Sequence, residues 1–232
     1  MSAAEILVEV SVWVLPVLFA VTLHEAAHGW VAWRLGDDTA YVQGRVSFNP
    51  LRHIDPFGTV LMPALLLFLS GGRFMFGFAK PVPVAFHRLG NPRRDMAVVA
   101  AAGPGINFAM ALAAALLIVP AAGLPGTLGV WTAQNLANAV WINILLAVFN
   151  LLPLPPLDGG RIAVSVLPNG LALPLQRLEP YGLFIVLGLV FLLPWIGAQA
   201  GLDLNVFEWL VIGPSRMLER IETWRYWVLC DR

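Results

Sequence analysis

Between Val10 and Leu35 the chain is apolar almost throughout, yet it carries His24, Glu25 and His28. A stretch of that length crosses the roughly 30 Å of hydrocarbon in a bilayer at about 1.5 Å per helical residue. It must be helical, because lipid offers no partner to an unpaired backbone group. Ionisable groups at such depth are costly and usually functional. Composition agrees with a membrane home. The chain is 59% hydrophobic and 12% charged, against about 45–50% and about 25% in soluble domains. This excludes a disordered chain, a nucleic-acid binder and an ordinary soluble enzyme. The formal net charge is +0, so no global field steers a charged partner. The one cysteine, Cys230, excludes a disulfide framework and a cysteine zinc cluster.

The expected architecture is an all-α polytopic membrane protein with about four to six transmembrane helices. After the first span, Tyr41–Phe48 alternates like a strand. Residues 57–69 are apolar but short and contain Pro63, which suits a re-entrant segment. Later spans are expected over Met96–Val119, Ala139–Leu157 and Tyr181–Trp195. A tail, apolar over Asn205–Ile212 and then charged, reads as an amphipathic interfacial segment. Tryptophans near span ends, such as Trp30, Trp33, Trp131 and Trp195, read as interface anchors. The chain reads as one membrane-embedded domain over 1–232, with no internal repeat. Its start lacks the basic residues of a cleavable signal. Basic residues in 71–95 place that loop in the cytoplasm, and the uncharged 121–138 stretch is placed outside.

His24-Glu25-Ala26-Ala27-His28 sets two imidazoles four residues apart, on one helix face. That spacing suits one zinc ion, with Glu25 placed to take a proton from a zinc-bound water. A polar contact between helices is the bland alternative, and depth in the membrane weighs against it. Zinc in a catalytic site takes three protein ligands and keeps one position open. His53 and His87 lie in polar loops and Cys230 in the tail. Asp158 closes an apolar span before Gly159-Gly160 and is the candidate third ligand; a turn residue is the alternative there.

Together these residues resemble the site-2 protease family of intramembrane zinc metalloproteases, in its compact bacterial form without PDZ or CBS domains. The HEAAH pentapeptide and Leu157-Asp158-Gly159 carry the likeness. Asn49–Gly58, Ala79–Val84 and Ala102–Asn107 extend it, so that it covers about residues 15–165. It implies that His24, His28 and Asp158 hold zinc and that Glu25 is the general base. Asn150, upstream of the aspartate, would hold substrate or stabilise the oxyanion. The implied reaction is hydrolysis of peptide bonds in or near transmembrane segments of membrane proteins. The implied setting is a bacterial inner membrane, with the N-terminus outside and the site towards the cytoplasm.

For His24, His28 and Asp158 to share one depth, the first span and the one before Asp158 must run the same way. Segment 57–69 must therefore dip in and return. A substrate helix must be opened before cleavage. Tyr41–Phe48 and Phe78–Val84 are candidate edges for capturing it as an added strand. Gly103-Pro104-Gly105 reads as close helix packing. Asn107 reads either as an interhelical bond or as support for the site, and Asn143 as an interhelical contact. A metal-binding transporter and a catalytically inactive homologue acting as a binding partner are the competing readings; the oligomeric state is open.

Overall fold

The computed structural model describes residues 2–69 and 77–219. Helix α1 spans Ala3–Arg34 and opens with a capping box, in which Ser2 and Glu5 bond each other's backbone N–H. Leu35 and Gly36 end it, the glycine at φ 109°. Helix α2 is one turn, Thr39–Val42. A π-helical turn, Pro56–Leu61, leads into α3, Met62–Leu69. Helix α4 spans Pro92–Ala122 and α5 spans Gly126–Asn150. Short helices α6 (Asp158–Val166) and α7 (Asn169–Gln176) follow. Helices α8 (Gly182–Leu187) and α9 (Leu193–Ala200) are joined by a π-helical turn.

The chain is an integral membrane protein of all-α class. Four helical stretches among the described residues are long and apolar enough to cross a bilayer: Leu7–Arg34, Pro92–Ala122, Gly126–Asn150 and Asn169–Ala200. Helices α1, α4 and α5 form the centre. On α4, Ala100, Gly103, Ala111, Ala114 and Ala115 are buried; such small residues let backbones approach closely where no hydrophobic force drives helices together. The outer faces carry exposed Leu7, Phe19, Leu112, Leu116 and Val130, as a lipid-facing surface requires.

Several boundaries differ from the sequence-based expectation. The span expected at Ala139–Leu157 lies at Gly126–Asn150, so the connection from α4 is only residues 123–125. The uncharged stretch 126–138, placed outside the membrane from its sequence, bonds to α1 through two of its side chains. Asn138 Nδ2 donates to the Val12 carbonyl at 2.9 Å, and Trp131 Nε1 to Ser11 Oγ at 2.8 Å. Pro153, Pro155 and Pro156 cannot extend a helix, and α5 stops before them. The last candidate span is also longer than Tyr181–Trp195. Of the expected interfacial tail, residues 206–219 are helical. They pack on α5, where Phe207 meets the Phe149 ring edge-on and Leu218 joins the Ala111–Val140–Ile144 cluster. Residues 220–232, with Cys230, lie outside the described residues.

Tyr41–Phe48 is not a strand. It holds the end of α2 and then a turn at Gly44, φ 65°. Arg45 leaves this turn inward, its guanidinium donating to the carbonyls of Arg52 and, at 2.6 Å, Lys80. The chain before α3 is hydrogen-bonded to the chain that follows at 77–80. The N–H of Lys80 donates to the His53 carbonyl at 2.9 Å, that of Phe78 to the Gly58 carbonyl at 3.0 Å, and Thr59 Oγ1 to the Phe78 carbonyl. Chain entering and chain leaving therefore lie side by side.

Candidate active site

His24 and His28 point from one face of α1 toward α4 and are 7% and 8% exposed. Their Nε2 atoms lie 3.0 Å apart. Asp158 Oδ2 sits 3.2 Å from Nε2 of His24 and 3.3 Å from Nε2 of His28. These three buried ligand atoms fall within 4.8 Å of one another. Each imidazole is held from behind: His24 Nδ1 lies 2.5 Å from Asn107 Oδ1, and His28 Nδ1 lies 2.7 Å from the Val99 carbonyl. Both acceptors call for N–H at Nδ1, which leaves each Nε2 with its lone pair facing the other two ligand atoms.

Three electron-rich atoms converging in a buried place fit a divalent cation. Two further observations agree. Asp158 Oδ2 is buried and makes no hydrogen bond. Gly103 faces the same spot: a Cβ there would come 2.6 Å from His24 Nε2 and would also meet His28 Nε2. The missing side chain keeps the space between the ring nitrogens and α4 open.

Asp158 does not end a span, as its sequence context suggested, but is the first residue of α6. A proline-broken loop, 151–157, carries it back from α5. Gly159 and Gly160 follow because side chains there would collide with backbone of Leu151, Leu152, Leu154 and Pro155. Arg93, near the start of α4, holds the far end of α6. Its guanidinium donates to the carbonyls of Ser165 and Leu167 and to Asn169 Oδ1.

Glu25, half-buried on the next position of α1, accepts the Val82 N–H at Oε2, 2.8 Å away. Val82 belongs to an extended strap, residues 77–85, which contains no strand. The strap is held by side chains: Arg45 takes the carbonyl of Lys80, and Asp37 Oδ2 accepts the Ala85 N–H at 2.6 Å. Sequence reasoning missed both carboxylate anchors, which pair residues far apart in the chain. Asn150 is not in the cluster; its Nδ2 donates to the Leu146 carbonyl of its own helix at 2.9 Å. Asn107, left between two readings, backs a histidine, and Gly103 borders the ligand atoms instead of merely packing helices. His53 reaches the Ser47 carbonyl at 2.9 Å and stands apart from the cluster.

An all-α membrane bundle with two histidines and an aspartate converging beside a glutamate defines the class of membrane metallopeptidases. Comparison with known proteins agrees. The family model described as Peptidase family M50 matches residues 126–193. Relatives named "Putative zinc metalloprotease" include YwhC of Bacillus subtilis (strain 168), 38% identical over 82% of this chain and 87% of its own length. Rip2 of Mycolicibacterium smegmatis is 31% identical over 61% of this chain and 52% of its own length. Rip2 of Mycobacterium tuberculosis (strain ATCC 35801 / TMC 107 / Erdman) is 33% identical over the same shares. No solved structure matches. The chain belongs to Peptidase family M50, the site-2 protease family. It is a zinc metalloprotease, and zinc is its cofactor.

Proposed function

We propose that the protein hydrolyses peptide bonds in or near transmembrane segments of membrane-protein substrates. The observation that carries this is the placement of three converging ligand atoms, all buried, against a span helix. In this reading His24, His28 and Asp158 hold the zinc. When bound there, zinc polarises the scissile carbonyl and lowers the pKa of its water to about 7.

The chain's own residues do the rest. Glu25 takes the proton of the attacking water and returns it to the leaving amine. The Val82 N–H fixes Oε2, so Oε1 is the oxygen that works. Asn150 holds substrate or donates to the developing oxyanion; to donate, its Nδ2 must first leave the Leu146 carbonyl. The site faces the cytoplasm of a bacterial cell in this reading. Arg34, Arg45, Arg88 and Arg93 gather on the side where α1 ends and α4 begins, which the positive-inside rule favours for the cytoplasm.

The test is co-expression with a panel of tagged single-span proteins, comparing wild type with Glu25→Gln. Cleavage by wild type alone, at equal zinc content, is expected. Identical substrate patterns would sink the proposal.

A further inference from the structure

Asn107 does more than accept one bond. Its Nδ2 donates to Asn143 Oδ1 at 2.6 Å and to the Ala20 carbonyl at 3.2 Å. Asn143 Nδ2 in turn donates to the Ala139 carbonyl at 2.8 Å. Asn107 is fully buried and Asn143 nearly so, so no solvent competes for these groups.

The orientations are linked. A backbone carbonyl can only accept, so the Ala139 oxygen requires the NH2 of Asn143 on its side. The Asn143 oxygen then faces Asn107 and requires that residue's NH2. The Asn107 oxygen is left facing His24 and can take only a donor. His24 must therefore carry its proton on Nδ1 and present a bare Nε2. The Ala20 carbonyl enforces the same choice from α1. The direction of every bond from α5 to the imidazole is set by two main-chain carbonyls.

We infer that Asn143, acting through Asn107, is a positioning residue that fixes the His24 tautomer and ring angle for zinc. This rests on the proposed role of His24 as a ligand. His28 obtains the same tautomer directly from the Val99 carbonyl, so the two ligands are prepared by unlike means. Only the His24 side can be weakened by changing a side chain.

The test is zinc affinity, measured on the purified full chain by competition with a chromophoric chelator. Asn107→Leu is expected to lose about 10–100-fold. Asn143→Leu, which leaves Asn107 one weaker acceptor, is expected to lose about fivefold, the effect of one hydrogen bond. The double variant should match Asn107→Leu alone, because both residues act on one chain of bonds. Asn138→Leu is the control. It removes another α5 amide bonded to α1, the link to the Val12 carbonyl, and should leave affinity unchanged. Wild-type affinity in a folded Asn143→Leu, or equal losses in Asn138→Leu and Asn143→Leu, would overturn the inference. A His24→Ala arm separates the two levels. If it loses zinc while Asn143→Leu does not, only the positioning role fails. If it too keeps zinc, the ligand assignment fails with it.

Discussion

The main-chain N–H of Val82 donates to Oε2 of Glu25 across 2.8 Å, joining residues 57 positions apart. The carboxylate beside the His24–His28–Asp158 cluster is thereby fixed by the backbone of a strap, not by a neighbour on α1. Val82→Pro removes that donor, and Val82→Ala, which keeps the N–H but trims the same buried side chain, is its control. The proline suits the setting, because Pro81 and Pro83 already restrict the strap to extended backbone. A hydrogen bond to a charged group is worth about 1.5–3 kcal/mol. Proteolysis should fall by roughly tenfold to a hundredfold through kcat, at unchanged zinc content. Wild-type turnover in a folded Val82→Pro protein would show that Glu25 needs no such support.

Gly103→Ala tests the space between α4 and the histidines. The new methyl would stand 2.6 Å from His24 Nε2. The rings can yield only by leaving Asn107 and the Val99 carbonyl. Zinc affinity should drop by about tenfold or more, while circular dichroism keeps its helical signal. Full zinc binding would mean that the ion lies elsewhere.

Asp37 sets a pH dependence on the strap. Burial acts to raise its pKa, but the hydroxyl and N–H of Thr39, the Ala85 N–H and nearby Arg88 together hold it below the ordinary carboxylate value. A group depressed on folding adds stability that is complete above its unfolded pKa of about 3.9. That stability is lost as pH falls through the lower folded value. In detergent, wild type should melt above Asp37→Asn at pH 6, and the gap should close as pH drops below about 4. A gap that persists in strong acid would assign the difference to something other than the ionised carboxylate.

The return of the chain at 77–80 beside 53–59 makes a topological prediction. Reporters fused after residue 45 and after residue 90 should lie on the same side of the membrane, and one fused after Gly123 on the other. Opposite readings for the first two would mean that 56–69 crosses.

The three residues that converge could be named as candidates because their physics is local or categorical. Two histidines at helical spacing share a face whatever surrounds them, and charge at depth is rare enough to make a short list. Asp158 could be named, but not its place at the head of α6, because the path of the 151–157 loop depends on Gly159 and Gly160 fitting against it. The start of α5 was illegible. The uncharged 126–138 reads as a loop until Ser11 and Val12 on α1 are seen to accept from Trp131 and Asn138. Alternation over Tyr41–Phe48 suggested a strand, but the inward reach of Arg45 to Lys80 fixes a turn instead. Asn107 and Asn143 could be singled out as polar residues between helices, but not their link to each other, since that depends on who faces them.

The prolines of the strap have a consequence for anything that approaches its backbone. Pro81 and Pro83 have no N–H. Lys80, Val82 and Ala85 spend theirs on His53, Glu25 and Asp37. A strand laid alongside 80–85 would meet oxygens where half of a ladder's rungs should be protons, the device by which proteins keep an edge from being extended. Phe78–Val84, a candidate edge for an added strand, is therefore a poor template for one. It is better suited to a visitor that brings donors of its own.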